Sequence, residues 1–135
     1  MYTFIDAPEI TQHLVAQNLE LSSTATLSCG YTAQPAPSAI TWIKDATVLS
    51  ATNRLTIDSS STSSKLQIQD LSEEDSGIYQ CLVENALGDV LSSAMIEVTG
   101  TMCSTIYFSN KVFKLITVSL NRYSYLFYRY PMYFY

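Results

Sequence analysis

The stretch EEDSGIYQC, residues 73–81, places three acids, a Ser-Gly pair, a tyrosine and a cysteine in nine positions. Side chains alternate across a strand, so Tyr79 and Cys81 share one face, and Val83 extends that row. A tyrosine buried in this way needs a partner for its hydroxyl, and the backbone of the preceding turn is the nearest source. Gly77 lets the chain enter the strand tightly. Asp75 is placed to accept hydrogen bonds within the turn and to form a salt bridge with Arg54 from an earlier strand. On this reading the acids latch a fold; they are not a catalytic couple.

The same period of two recurs on either side. Ala25, Leu27 and Cys29 alternate with Thr26 and Ser28; Ile40, Trp42 and Lys44 share one side of ITWIK (40–44); Leu66 and Ile68 alternate within KLQIQ (65–69). In DVLSSAMIEV (89–98), Ala94, Ile96 and Val98 fall on one face. Between these runs lie the turn signals AQPAPS (33–38), DSSSTSS (58–64), DLSEEDSG (70–77) and NALG (85–88). Short strands, each apolar on one face, predict an all-β chain folded as two stacked sheets. Cys29 and Cys81, 52 positions apart and both inward, can then meet at disulfide distance with Trp42 against the bridge. Such a crosslink belongs to an oxidising compartment.

Charge divides the chain near Gly100. Residues 1–100 carry twelve acids and three bases, a net −9, whereas residues 101–135 carry four bases and no acid. An acidic body repels nucleic acid and anionic lipid, so neither is an expected partner. Cys29, Cys81 and Cys103 form no C-x-x-C pair, and the single His13 has no ligand-type residue at metal spacing, so neither metal nor cofactor is expected. His13 reads as a surface residue near the first strand. No nucleophile motif or Gly-rich phosphate loop occurs, which argues against an enzyme. MYTFIDAPEI lacks the basic and apolar regions of a secretory leader, so residues 1–6 read as a leader-less extension and the chain as part of a longer ectodomain.

Taken together, Cys29, Trp42 followed by Lys44 and Asp45, Leu66-x-Ile68, Asp75-x-Gly77-x-Tyr79-x-Cys81 and Asn85-x-x-Gly88 resemble the immunoglobulin superfamily. The match is nearest to I-set domains of cell-adhesion molecules, guidance receptors and muscle giants, and covers Ala7 to Val98. The resemblance implies an immunoglobulin-like two-sheet Greek-key sandwich over residues 7–99, with Tyr79 as its tyrosine corner. Three positions depart from the pattern: Ser22, Ala33 and Ala46 stand where such domains often have glycine. The approach to Trp42, PAPSAITW, is one residue longer than usual, and the short span from Trp42 to Arg54 leaves no room for the extra hairpin of a variable-type domain.

The resemblance implies a non-catalytic module, extracellular or at the cell surface, mediating recognition or acting as a spacer. Its expected partners are other cell-surface or matrix proteins, homophilic or heterophilic, with the membrane reached only through the parent chain. The candidate contact surface is the sheet containing segments 40–44, 77–84 and 89–98, with Lys44, Gln80, Leu82 and Glu84 as its residues. The alternative is an intracellular, muscle-type mechanical link, which would keep Cys29 and Cys81 reduced.

Residues 100–135 read differently. Eleven of the 35 residues from Thr101 are Tyr or Phe, and Lys111, Lys114, Arg122 and Arg129 interrupt them. The longest uncharged run after Ser104 is Leu115 to Asn121, far short of the roughly 20 apolar residues of a spanning helix. Nineteen of the 35 are Tyr, Phe, Ile, Asn, Lys or Met, all with AT-rich codons. This aromatic, basic tail is expected to be disordered, or an artefact of read-through into non-coding sequence, and to have no clear fold.

Overall fold

The computed structural model describes residues 5–108, 111–120 and 123–128. Nine strands precede Gly100: β1 (Asp6–Gln12), β2 (Gln17–Glu20), β3 (Ala25–Gln34), β4 (Ala39–Lys44), β5 (Thr47–Val48), β6 (Leu55–Ser59), β7 (Ser63–Ile68), β8 (Gly77–Asn85) and β9 (Gly88–Thr99). They form two sheets, a four-stranded one in the order β1-β3-β7-β6 and a five-stranded one in the order β2-β9-β8-β4-β5. A 3-10 turn, Glu73–Asp75, leads into β8. The two-sheet sandwich expected from the alternation is therefore the observed architecture.

Alternation explains the core. β8 buries Tyr79, Cys81 and Val83 and β9 buries Ser92, Ala94, Ile96 and Val98, with outward residues between them. From the opposite sheet, Ala25, Leu27 and Cys29 of β3 and Leu66 and Ile68 of β7 face these rows. Trp42, only 1% exposed, lies in register with Cys81. Its indole N–H donates to the Ser64 hydroxyl at 2.8 Å, and that hydroxyl lies 2.7 Å from Ser59 Oγ. Ser64 in turn is the register partner of Cys29. A buried serine beneath the indole satisfies a donor that an apolar neighbour would leave orphaned.

Tyr31 is a second fully buried tyrosine, on a β3 that runs past the expected ATLSC segment. Its hydroxyl donates to the Ser60 carbonyl at 2.8 Å. Burial, followed by the nearby Cys81 and Cys29 thiols, pushes its pKa up to about 12.

The first strand changes sheets partway along. β1 pairs with β3, whereas β2 joins β9 in the other sheet. The break falls at residues 13–16, where buried Leu14 donates its backbone N–H to Ser92 Oγ at 3.0 Å. His13, exposed as expected, holds its Nδ1 3.2 Å from the same hydroxyl.

Turn geometry accounts for two of the three departures from the family pattern. Ser22 (φ 61°) and Ala46 (φ 68°) both occupy the left-handed region, where glycine carries no penalty and other L-residues lose about 1–2 kcal/mol. Both turns are kept, at that cost. Gly77, with φ 154°, is the reverse case, because a Cβ there would collide with the Asp45 carboxylate. That carboxylate receives the Ile78 N–H at 2.9 Å, joining the turn after β4 to the start of β8.

The chain divides into two units between Val98 and Thr99. In the second, expected to have no clear fold, β10 (Thr101–Phe108), β11 (Lys111–Leu120) and β12 (Tyr123–Tyr128) pair antiparallel in that order. The registers run from Thr101↔Val118 to Phe108↔Lys111 and from Leu115↔Tyr128 to Leu120↔Tyr123. The Thr, Ile, Val, Tyr and Phe that crowd these segments favour a pleated backbone, which composition reveals although no clean alternation does.

Candidate recognition face

The corner at EEDSGIYQC forms as its residues imply. Tyr79 is 1% exposed and its hydroxyl donates to the Asp75 carbonyl at 2.7 Å. The Asp75 carboxylate accepts from the Ser72 backbone N–H at 2.8 Å, the Ser72 hydroxyl at 2.9 Å and Arg54 Nη2 at 2.6 Å. Arg54 Nε also donates to the Gln69 carbonyl at 3.1 Å. Burial pushes the Asp75 pKa up, but the Ser72 and Arg54 hydrogen bonds outweigh it and hold the carboxyl below its usual range.

A depressed folded-state pKa means that the ionised latch stabilises the fold above the unfolded carboxylate value, near 4. That stability is lost as pH falls through the lower folded value. Asp75→Asn should therefore lower the thermal midpoint at pH 7 and flatten the acid limb of a stability-against-pH curve below about pH 4. An acid limb unchanged from wild type would contradict the assigned role.

Cys29 and Cys81 lie side by side in the centre of the sandwich, both fully buried. Each thiol affects its neighbour: Cys29, together with burial, makes Cys81 the harder of the two to deprotonate. Cys29 is shifted the opposite way, principally by Cys81. Both are free thiols in this structure, so the crosslink expected between residues 29 and 81 is not formed in it.

The four candidate contact residues do not share one face. Gln80, Leu82 and Glu84 alternate outward along β8, half-buried. Lys44 pairs in register with inward Tyr79, lies over its ring at 5.9 Å and binds the Asp45 carboxylate at 2.9 Å. It caps the inner row and is no part of the outward surface. Its position follows from the period of two, since it stands two residues from Trp42. The ammonium itself lies over the aromatic ring while binding the Asp45 carboxylate at the rim.

Around Gln80, Leu82 and Glu84 the structure gathers apolar residues that the sequence reading did not single out. Leu82 faces Leu91 across the strands and Ile78 faces Met95. Ile43 pairs with Gln80 on one side and with Val48 on the other. Val48 is 62% exposed, Ile78 51%, Leu91 45% and Met95 48%, four of the seven large exposed apolar residues among those described. The available signal was their phase, opposite to the buried rows. The outward residues of the other sheet include Thr26, Ser28, Thr32, Thr56, Asp58 and Lys65, without a large apolar group. Among the described residues no group of three or more His, Cys, Asp or Glu side chains could hold a metal ion.

Comparison with known proteins places this geometry. Residues 8–98 match the model of the immunoglobulin I-set domain. The chain is 38% identical over 93 residues to vascular endothelial growth factor receptor kdr-like of Danio rerio, which covers 69% of this chain and 7% of that protein. It is 36% identical over 89 residues to the cell adhesion molecule-related/down-regulated by oncogenes protein of Xenopus laevis, covering 64% of this chain and 7% of that protein. The chain thus spans only about 7% of the length of these relatives. Among solved structures, titin M4 superposes with a TM-score of 0.69 at 22% identity, over 72% of this chain and all of that one, a likeness of fold. With its tyrosine corner, central cysteine pair, buried tryptophan and two-sheet topology, the chain belongs to the immunoglobulin superfamily as an I-set domain.

Proposed function

We propose that this domain is a non-catalytic recognition module of a larger cell-surface or secreted protein, making protein–protein contacts through the outward face of its five-stranded sheet. The difference between the two outward faces carries the reading. One is polar throughout, whereas the other exposes Val48, Ile78, Leu91 and Met95 around half-buried Leu82 and Ile43. Large apolar groups collected on one solvent-facing sheet mark an interaction site more strongly than the same groups scattered singly. The receptor and adhesion-molecule relatives support an extracellular setting. Burial of Cys29 and Cys81 in one core cluster supports an oxidised crosslink there. A mechanical link within muscle is the second reading; it draws on the titin-like fold and requires the same two cysteines to stay reduced.

The full chain, secreted from animal cells and displayed as a pentamer, should stain at least one line in a panel of adherent cells. The double variant Leu91→Ser/Met95→Ser should lower that staining about tenfold, as expected for a few central residues carrying most of a contact's energy. Thr56→Ala/Gln67→Ala, on the polar sheet, should leave it unchanged. No staining on any line, or staining indifferent to the Leu91 and Met95 changes, would overturn the recognition reading.

A further inference from the structure

Resting on the recognition reading above, we infer that the outward face of the five-stranded sheet takes a protein surface with an apolar centre and a rim of lysine and arginine, and not a second copy of this chain. The apolar centre consists of the cross-strand pairs Leu82–Leu91 and Ile78–Met95, extended by Ile43 and Val48. Its rim is of one sign. Glu84 of β8, Asp89 and Glu97 of β9 and Glu20 of β2 all fall on outward positions. Glu84 stands directly opposite Asp89 in the ladder, a like-charge pair that opposes strand pairing when nothing neutralises it.

The three bases of residues 1–100 are engaged elsewhere. Lys44 pairs with Asp45 on the inner row, Arg54 pairs with Asp75 at the corner, and Lys65 lies opposite Asp58 in the other sheet. Among residues 5–98 the face therefore carries four acids and no base. The same face of a second copy would bring four further acids against them, and like-charge contact at an interface selects against that face-to-face pairing. A partner with a cationic rim meets each carboxylate with an opposite charge and relieves the repulsion between Glu84 and Asp89. The apolar centre would supply the desolvated middle of the contact and the acids would supply steering and selectivity.

A probe of this chemistry can be made from the protein itself. The full chain carrying Glu20→Lys, Glu84→Lys, Asp89→Lys and Glu97→Lys keeps the apolar centre and reverses the rim. Sedimentation velocity at about 0.1 mM should show wild type alone as a monomer, and wild type mixed with the reversed chain as a 1:1 complex. Raising salt from about 0.05 M to about 0.5 M should weaken that complex at least tenfold. Leu82→Ser/Leu91→Ser in the wild-type partner should abolish it. If melting shows that the fourfold variant is unfolded, Asp89→Lys/Glu97→Lys, both on exposed positions, serves in the same assay with a smaller salt dependence. Wild-type self-association that Leu91→Ser removes would make the occupant a second copy and overturn the inference. So would the lack of a complex between wild type and a folded reversed chain. Cell staining that fails while this complex forms would count against the recognition reading alone.

Discussion

Replacing Trp42 with alanine should destabilise the domain by about 3–5 kcal/mol, because the indole fills the centre of the sandwich at 1% exposure. The loss has two parts. Removing the ring forfeits its transfer free energy and leaves a cavity bordered by the Cys81 register position. Removing the N–H also leaves the buried Ser64 hydroxyl with Ser59 as its remaining partner. For a domain of about 100 residues, such a loss lowers the thermal midpoint by roughly 15–30 °C. Trp42→Phe separates the parts, since it keeps most of the apolar volume but not the hydrogen bond, and should cost less. Trp42 is the only tryptophan, so circular dichroism rather than indole fluorescence must follow the transition. A midpoint within about 5 °C of wild type for Trp42→Ala would contradict the central role given to the ring.

Oxidation of Cys29 and Cys81 to a disulfide should stabilise the domain by about 4 kcal/mol, the value that loop entropy gives for a closure of 52 residues. Non-reducing peptide mapping should find residues 29 and 81 joined in secreted protein. Denaturation with and without reductant should differ by a similar amount, and the double variant Cys29→Ala/Cys81→Ala should no longer respond to reductant. Mapped free thiols, with a midpoint indifferent to reductant, would instead favour the reduced, mechanical setting. Trp42 and Cys81 face each other in register, so the two effects are not independent. Reduced Trp42→Ala protein would lose a large part of the 5–15 kcal/mol that ordinarily holds a domain together, and should be unfolded at body temperature.

The legible parts of this molecule were those in which one physical rule acts alone. Rows such as Tyr79-Cys81-Val83 and Ala94-Ile96-Val98 have one side against a core, so a period of two exposes them directly. The latch of Arg54 on Asp75 was legible for a related reason, because a partly buried carboxylate calls for a cation and few were available. The first strand was less legible because it serves two sheets: the switch at residues 13–16 breaks any continuous alternation. Tyr31 escaped notice because Gly30 follows Cys29 and suggests an end to the strand, whereas β3 continues to Gln34. Lys44 shows how residue type misleads. Its charge suggests a contact surface, yet its phase with Trp42 and Tyr79 places it on the inner row. The apolar face required the register, since only the ladder shows that Leu82, Leu91, Ile78 and Met95 become neighbours.

The left-handed turns at Ser22 and Ala46 have an evolutionary corollary. Each keeps a conformation that a one-residue change to glycine would relax by up to about 1 kcal/mol, after glycine's own greater chain freedom is deducted. A lineage acquiring both exchanges would gain mutational headroom, enough to tolerate a substitution elsewhere that now falls below the folding threshold. New binding specificities on the exposed sheet could then arise through intermediates that the present chain could not survive.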